Sequence, residues 1–210
     1  MPLNHARSLS DHPGCWDFMY GEILHTAETL PPEALFCEIG TRNGGTALLA
    51  LIAIKESNVN RTMLTIDPYG NKLYRTTNHN EYPDTFYRTA MKELSSFCYN
   101  YNLNHIHYKM TSDEFIHGVD SRVIHIWSSD VIVPNYPVYP FSFGYVYLDG
   151  EHVPEIVSRE LSWFVPRLVK NGLLVIDDIH YINDSELPYI RPVLELSTVI
   201  DDRSFYRKSF

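Results

Sequence analysis

The sequence predicts one α/β domain on a mostly parallel sheet, and three features predict it. Short apolar runs of strand length alternate with segments of helical periodicity along the 210 residues, the pattern of β-α-β units. The run Leu173–Ile176 is apolar throughout, as a strand covered on both faces must be. Four strand-length runs end in an acid or run into one: Glu38, Asp67, Asp149 and the pair Asp177-Asp178. The carboxyl edge of an open parallel sheet is where ligands bind. Solubility is indifferent to strand register, so it does not account for acids at that edge.

Each element has its own warrant. Trp16, Met19, Tyr20, Ile23, Leu24 and Ala27 fall on one helical stripe that Pro31-Pro32 ends. Leu35–Ile39 reads as the first strand and Thr46 to about Glu56 as the next helix. Met63–Asp67 is a second strand, followed by a polar, aromatic-rich loop from Pro68 to Pro83. Phe86, Ala90, Leu94, Phe97 and Tyr101 space like a helix, and His105–Met110 is a third strand. Pro134, Pro137 and Pro140 break any regular element between Gly118 and Phe143. Tyr145–Asp149 is a fourth strand, Val153–Val169 a helix ended by Asn171-Gly172, and Leu173–Asp177 a fifth strand. From Ser185 the tail predicts one more helix, then a short hairpin around Asp201-Asp202-Arg203, in a stretch tight for a full complement of elements.

Composition narrows the function. The 17 Lys and Arg against 26 Asp and Glu leave a formal charge of −9, which argues against nucleic-acid or anionic-membrane partners that need a positive field. The longest apolar run, Ala47–Ile54, is far short of a membrane span. The first fifteen residues are polar, and Cys15, Cys37 and Cys98 form no CxxC pair. A reduced, cytoplasmic setting is the expectation, with the three thiols as small apolar packing.

The turn after the first strand reads Glu38-Ile39-Gly40-Thr41-Arg42-Asn43-Gly44-Gly45-Thr46. Its glycines permit positive φ and close approach of a ligand, and the helix that follows points its amides at that ligand. The spacing is neither the dinucleotide GxGxxG nor a P-loop. The motif resembles the first motif of S-adenosylmethionine-dependent methyltransferases with a Rossmann-like fold, and Asp67 matches the acid that holds the ribose hydroxyls in that family. Tyr145-Val146-Tyr147-Leu148-Asp149-Gly150-Glu151-His152 and the stretch Val153–Asp178 resemble the metal-dependent macrocin-type sugar O-methyltransferases. Catechol O-methyltransferases and the cephalosporin hydroxylase-like family are more distant relatives. The match covers about 35–70 and 144–180.

The resemblance implies a mostly parallel seven-stranded sheet flanked by helices, in a single domain over 1–210. Residues 1–32 would be an N-terminal helical cap and 118–143 an inserted acceptor-binding segment. It implies S-adenosylmethionine held by Glu38, Gly40, Thr41, Gly44, Thr46, Asp67, Ser112 and Asp149. It implies Mg²⁺, or another divalent cation, on Asp149, Asp177 and Asp178; three clustered carboxylates repel, and an oxygen-ligated ion relieves the conflict. His152, three residues after Asp149, is the implied proton acceptor, because imidazole titrates near neutral pH. The acceptor would be a small-molecule hydroxyl of sugar or natural-product type, and a homo-oligomer is compatible with the apolar N-terminal helix.

Alternatives stay open. A nucleic-acid or protein methyltransferase keeps the fold, although Asp149-Gly150-Glu151-His152 replaces the Asn/Asp-Pro-Pro-aromatic block of amino-methylating members. A non-catalytic cofactor-binding protein also keeps the strand-end acids. His105 and His107 share a strand face that could serve a metal, but a half-buried strand pair is the plainer reading. Thr111 can act as a helix N-cap with Glu114 instead of leaving Ser112 to a cofactor. Tyr69, His180, Tyr181, His125 and Trp127 are further lining candidates that nothing in the sequence selects.

Overall fold

The computed structural model describes residues 2–10, 14–70, 84–121, 141–178 and 193–209. Strands β1 (Leu35–Ile39), β2 (Thr62–Ile66), β3 (Asn104–Tyr108), β4 (Phe143–Leu148), β5 (Leu168–Ile176), β6 (Leu194–Ile200) and β7 (Arg203–Lys208) form one sheet. Its order is β3-β2-β1-β4-β5-β7-β6. The first five strands run parallel, while β7 is antiparallel to β5 and β6. This is the Rossmann-like, mostly parallel seven-stranded architecture that the sequence predicted. The chain winds outward from β1 to β3 and then crosses back to β4, so the switch point lies between β1 and β4. A crevice opens at the carboxyl ends of strands at such a point.

Alternate side chains of each strand go to opposite faces. Cys37, Ile39, Leu64, Ile66, Ile106, Val146, Leu148, Leu174 and Ile176 form one core with helices α5 (Ser112–Asp120) and α6 (Pro154–Arg167). Phe36, Met63, Tyr145, Tyr147, Leu173, Val175 and Phe205 form the other with α2 (Trp16–Thr29) and α3 (Gly45–Ser57). Every residue from Ala47 to Ile54 in α3 is buried. The sheet, α2, α1 (Pro2–Leu9) and α4 (Asp84–Tyr101) enclose that helix, so it is apolar all round. Arg61, 1% exposed at the head of β2, is kept in this core by carbonyls at the end of α2: its Nε and Nη2 donate to Ala27 O at 3.1 and 2.8 Å. Those carbonyls lack partners within the helix, and a cation there also meets the negative end of the helix dipole.

One expectation changes and two are filled in. The polar N-terminus contains α1, whose Ala6 is fully buried against α3. The helix expected to run to Val169 stops at Arg167: Pro166 weakens its last turn, and Leu168 is extended and pairs with Phe143. Asn171-Gly172 therefore marks a kink inside β5, with Asn171 at φ 64°. The tail supplies two paired strands of seven and six residues around Asp201-Asp202; a helix from Ser185 would fall outside the described residues. Among those residues, no helix is long and apolar enough to cross a membrane. Cys15, Cys37 and Cys98 are free and buried.

Candidate active site

The strand-end acids are staged by the sheet itself. Each step of the edge extends the backbone ladder by one bond past a strand end. Asp67 N donates to Tyr108 O at 3.2 Å, Gly40 N to Ile66 O at 2.9 Å, Asp149 N to Ile39 O at 2.9 Å and Asp177 N to Leu148 O at 2.9 Å. The acids thus sit on one edge because parallel register puts them there. Glycine is required at the centre: Gly40 has φ 84°, and a Cβ on it would stand 1.8 Å from Asp149 O. Gly44, at φ 83°, is the N-cap of α3, so the amide end of that helix faces the turn.

On the β1–β2 side, Asp67 is fully buried and takes backbone donors on both oxygens. Arg42 N reaches Oδ2 at 3.1 Å and Tyr69 N reaches Oδ1 at 2.9 Å. Tyr69, at φ 39°, donates its hydroxyl to Arg42 O at 2.7 Å and so ties the two loops together. Glu38 is 1% exposed, and its Oε2 has no hydrogen-bond partner. Burial, and then the charge of Asp67, raise its pKa well above the usual carboxylate range. Thr41 Oγ1 is likewise buried without a partner.

On the β4–β5 side, burial together with Asp177 and Glu38 raises Asp149 well above its ordinary pKa. His152 Nε2 stands 3.3 Å from Asp178 Oδ2 and 3.7 Å from Asp149 Oδ1, with about a quarter of its side chain exposed. Asp178 turns toward it through φ 49°. Asp177, which adjoins Asp149, also meets a cation. Its Oδ1 lies 3.0 Å from Arg203 Nε, and its Oδ2 accepts the Tyr147 hydroxyl at 2.8 Å.

The Gly-rich turn meets Asp149 in one cleft, lined by Leu9, Ser10, Gly40, Thr41, Thr46 and Arg203 among others. Its free volume is about 30 Å³. The structure thus brings Gly40, Thr41, Thr46 and Asp149 together, with Asp67 joined through Arg42. Ser112 is not among the lining residues. Its neighbour Thr111 caps α5 in a capping box: Glu114 N donates to Thr111 Oγ1 at 3.2 Å, and Thr111 N donates to the Glu114 carboxylate at 2.8 Å.

His105 and His107 turn to Thr65 Oγ1, at 2.8 and 2.9 Å, not to an acid. Burial lowers them to about 4 and about 3, with His105 and Lys109 adding to the shift at His107. They are a neutral strand pair, and the metal reading of them fails for want of a carboxylate.

Arg203 was missed. The sequence shows it only as a charged residue beside a predicted turn, and nothing local distinguishes a buried arginine from a solvated one. His125 and Trp127, most of 118–143, and His180 and Tyr181 lie outside the described residues.

A cofactor and a metal were both expected at this edge, and the residues answer differently. Unpartnered Glu38 Oε2 and Thr41 Oγ1, two left-handed glycines and a helix amide end suit a polar ligand with a close backbone approach. A three-carboxylate cation site fits poorly, because the charge of Asp177 is already met by the buried Arg203 guanidinium, 3.0 Å from Oδ1, and its Oδ2 accepts from Tyr147 and Arg203. Among the described residues, no three His, Cys, Asp or Glu side chains are arranged to hold a metal ion.

The chain matches a family model described as a methyltransferase domain over residues 37–179. No curated protein matches it significantly. Solved structures share its fold at low identity. An O-methyltransferase of Streptomyces achromogenes in tomaymycin synthesis, TomG, solved with S-adenosylmethionine, is 13% identical with a TM-score of 0.56, covering 100% of this chain and 90% of that one. A Bacillus cereus O-methyltransferase solved with S-adenosylhomocysteine is 12% identical at 0.56, covering 99% and 87%. CalS11, a TDP-rhamnose 3'-O-methyltransferase of calicheamicin biosynthesis, is 15% identical at 0.56, covering 95% and 81%. With the matched segment spanning most of the sheet and the whole of the strand-end acid edge, the chain belongs to the methyltransferase-domain family and is a methyltransferase enzyme.

Proposed function

We propose that this enzyme transfers the methyl group of S-adenosylmethionine to a hydroxyl of a small molecule. The observation that carries the reading is the junction of the Gly40–Gly44 turn with Asp67 and Asp149 at the switch point of the sheet. Glu38, Gly40, Thr41, Gly44, Thr46 and Asp67 would hold the cofactor, with Asp149 and Ser112 at its margins. Asp67 is the acid that would meet the ribose hydroxyls, since a carboxylate can accept from both members of a vicinal diol. When bound, S-adenosylmethionine supplies the methyl carbon, which passes to the acceptor oxygen as its bond to sulfur breaks and S-adenosylhomocysteine is left. His152 takes the hydroxyl proton on a ring nitrogen, and Asp149 and Asp178 steady the imidazolium that results.

Positioning supplies much of the rate in such a displacement. A small-molecule acceptor accords with the net charge of −9 and with the TDP-rhamnose acceptor named for CalS11.

Calorimetric titration of S-adenosylhomocysteine tests the reading. We expect stoichiometric binding that Asp67→Asn weakens by about ten- to a hundredfold, the loss of one to two charge-assisted bonds. A folded chain that binds neither S-adenosylhomocysteine nor S-adenosylmethionine refutes it. His152→Gln should leave that affinity unchanged and lower kcat about 10²- to 10⁴-fold.

A further inference from the structure

Arg203 opens β7 and lines the cleft, and its side chain and that of Asp177 are each 4% exposed. Nε lies 3.0 Å from Asp177 Oδ1, and Nη2 donates to Oδ2 at 3.4 Å. Nε also donates to the Tyr147 hydroxyl at 3.0 Å, and that hydroxyl donates to Asp177 Oδ2 at 2.8 Å. Nη1 reaches Cys15 Sγ at 3.5 Å, which fixes the far end of the guanidinium. Asp177 Oδ2 therefore accepts from both Tyr147 and Arg203, Oδ1 faces the guanidinium at ion-pair distance, and the carboxylate's charge is met by a full positive charge in the same buried space. A divalent ion on Asp177 would have to expel that guanidinium or sit beside it, and poor screening makes either costly.

We propose that Arg203 is the resident cation of this edge: it withholds Asp177 from metal, so His152, set between Asp149 and Asp178, takes the acceptor proton without a divalent ion. The inference rests on the functional reading above. It adds that Arg203 is a positioning residue that replaces an ion. It also assigns Tyr147 a place in the same network, as the hydroxyl that relays one hydrogen bond from Arg203 to Asp177.

Mn²⁺ titrated into the full chain and followed by electron paramagnetic resonance tests this. The parent should leave the aqueous Mn²⁺ signal undiminished at equimolar protein. Arg203→Met, which releases Asp177, should gain a stoichiometric site that Mg²⁺ displaces, and adding Asp177→Asn should remove it again. A stoichiometric site in the parent that Asp149→Asn or Asp177→Asn abolishes overturns the proposal, and that arm holds whether or not Arg203→Met folds. An Arg203→Met chain that folds without gaining a site also counts against it. The cofactor reading fails by a separate measurement, the absence of S-adenosylhomocysteine binding, which leaves the Mn²⁺ result standing.

Discussion

At β1 and β2 the strand-end acids meet backbone donors or bury an oxygen: Asp67 accepts from the amides of Arg42 and Tyr69, and Glu38 Oε2 has no hydrogen-bond partner. At β4 and β5 they are answered by side-chain cations or cation-capable groups: Asp177 by Arg203, and Asp149 and Asp178 by His152. Backbone amides are fixed by the fold, so the first half offers a rigid acid, and beside it a carboxyl that burial holds well above its usual pKa, to a ligand that always looks the same. Side chains can gain, lose or move a proton, so the second half can take part in chemistry. The difference teaches that five similar acids in sequence become different chemical objects once their partners are known.

Gly40 belongs to both halves, and changing it should have the largest effect. Gly40→Ala puts a Cβ against Asp149 O in a left-handed backbone. The loss should be about 5 kcal/mol, from overpacking plus φ strain, seen as a collapse of the thermal transition. Arg203→Met breaks only the β4–β5 half and leaves a buried carboxylate unpaired, costing about 3–4 kcal/mol in urea unfolding. Arg203→Met combined with Asp177→Asn should recover part of that loss; no recovery would mean that the two do not act as a pair.

Acidity separates the regions further. The folded pKa values of His105 and His107, about 4 and about 3, lie below the unfolded value. Their contribution is therefore complete above about pH 6.5 and lost as pH falls through that window. Glu160 on α6 is 1% exposed and raised to about 8, chiefly by burial. Its contribution is complete below about pH 4.5 and lost as pH rises toward 8. Each group changes stability by at most about 1.4 kcal/mol per pH unit. Melts from pH 4 to 8 should show Glu160→Gln flattening the upper part and His107→Asn flattening the lower part. Opposite slopes would refute the buried assignments. The smallest effect should come from Thr111→Ala, which removes the α5 cap at a cost of about 1 kcal/mol and leaves cofactor affinity unmoved if Ser112 alone faces the ligand.

Much of this molecule was legible from residue order alone. Local periodicity located β1 to β4, the bodies of α2, α3, α4 and α6, and the turn at Asp201-Asp202. It also put Glu38, Asp67, Asp149 and Asp177 at strand ends, because apolar runs and the residue that closes them are neighbours in the chain. The β5 start was misread because Pro166 and the Asn171-Gly172 kink carry opposite local signals, and pairing of Leu168 with Phe143 decided between them. Helix α1 was missed because its stripe is short; its burial is supplied by α3.

Sequence by itself determined which acids reach the carboxyl edge, since parallel register follows from alternating β and α elements. Only tertiary structure decided what balances each acid. Arg203 and Asp177 are separated by 26 residues, and Tyr147 lies 56 residues from Arg203. They meet because β7 runs antiparallel beside β5. A charge's partner is set by distance in space and by the water excluded around it, and neither is written into the order of residues.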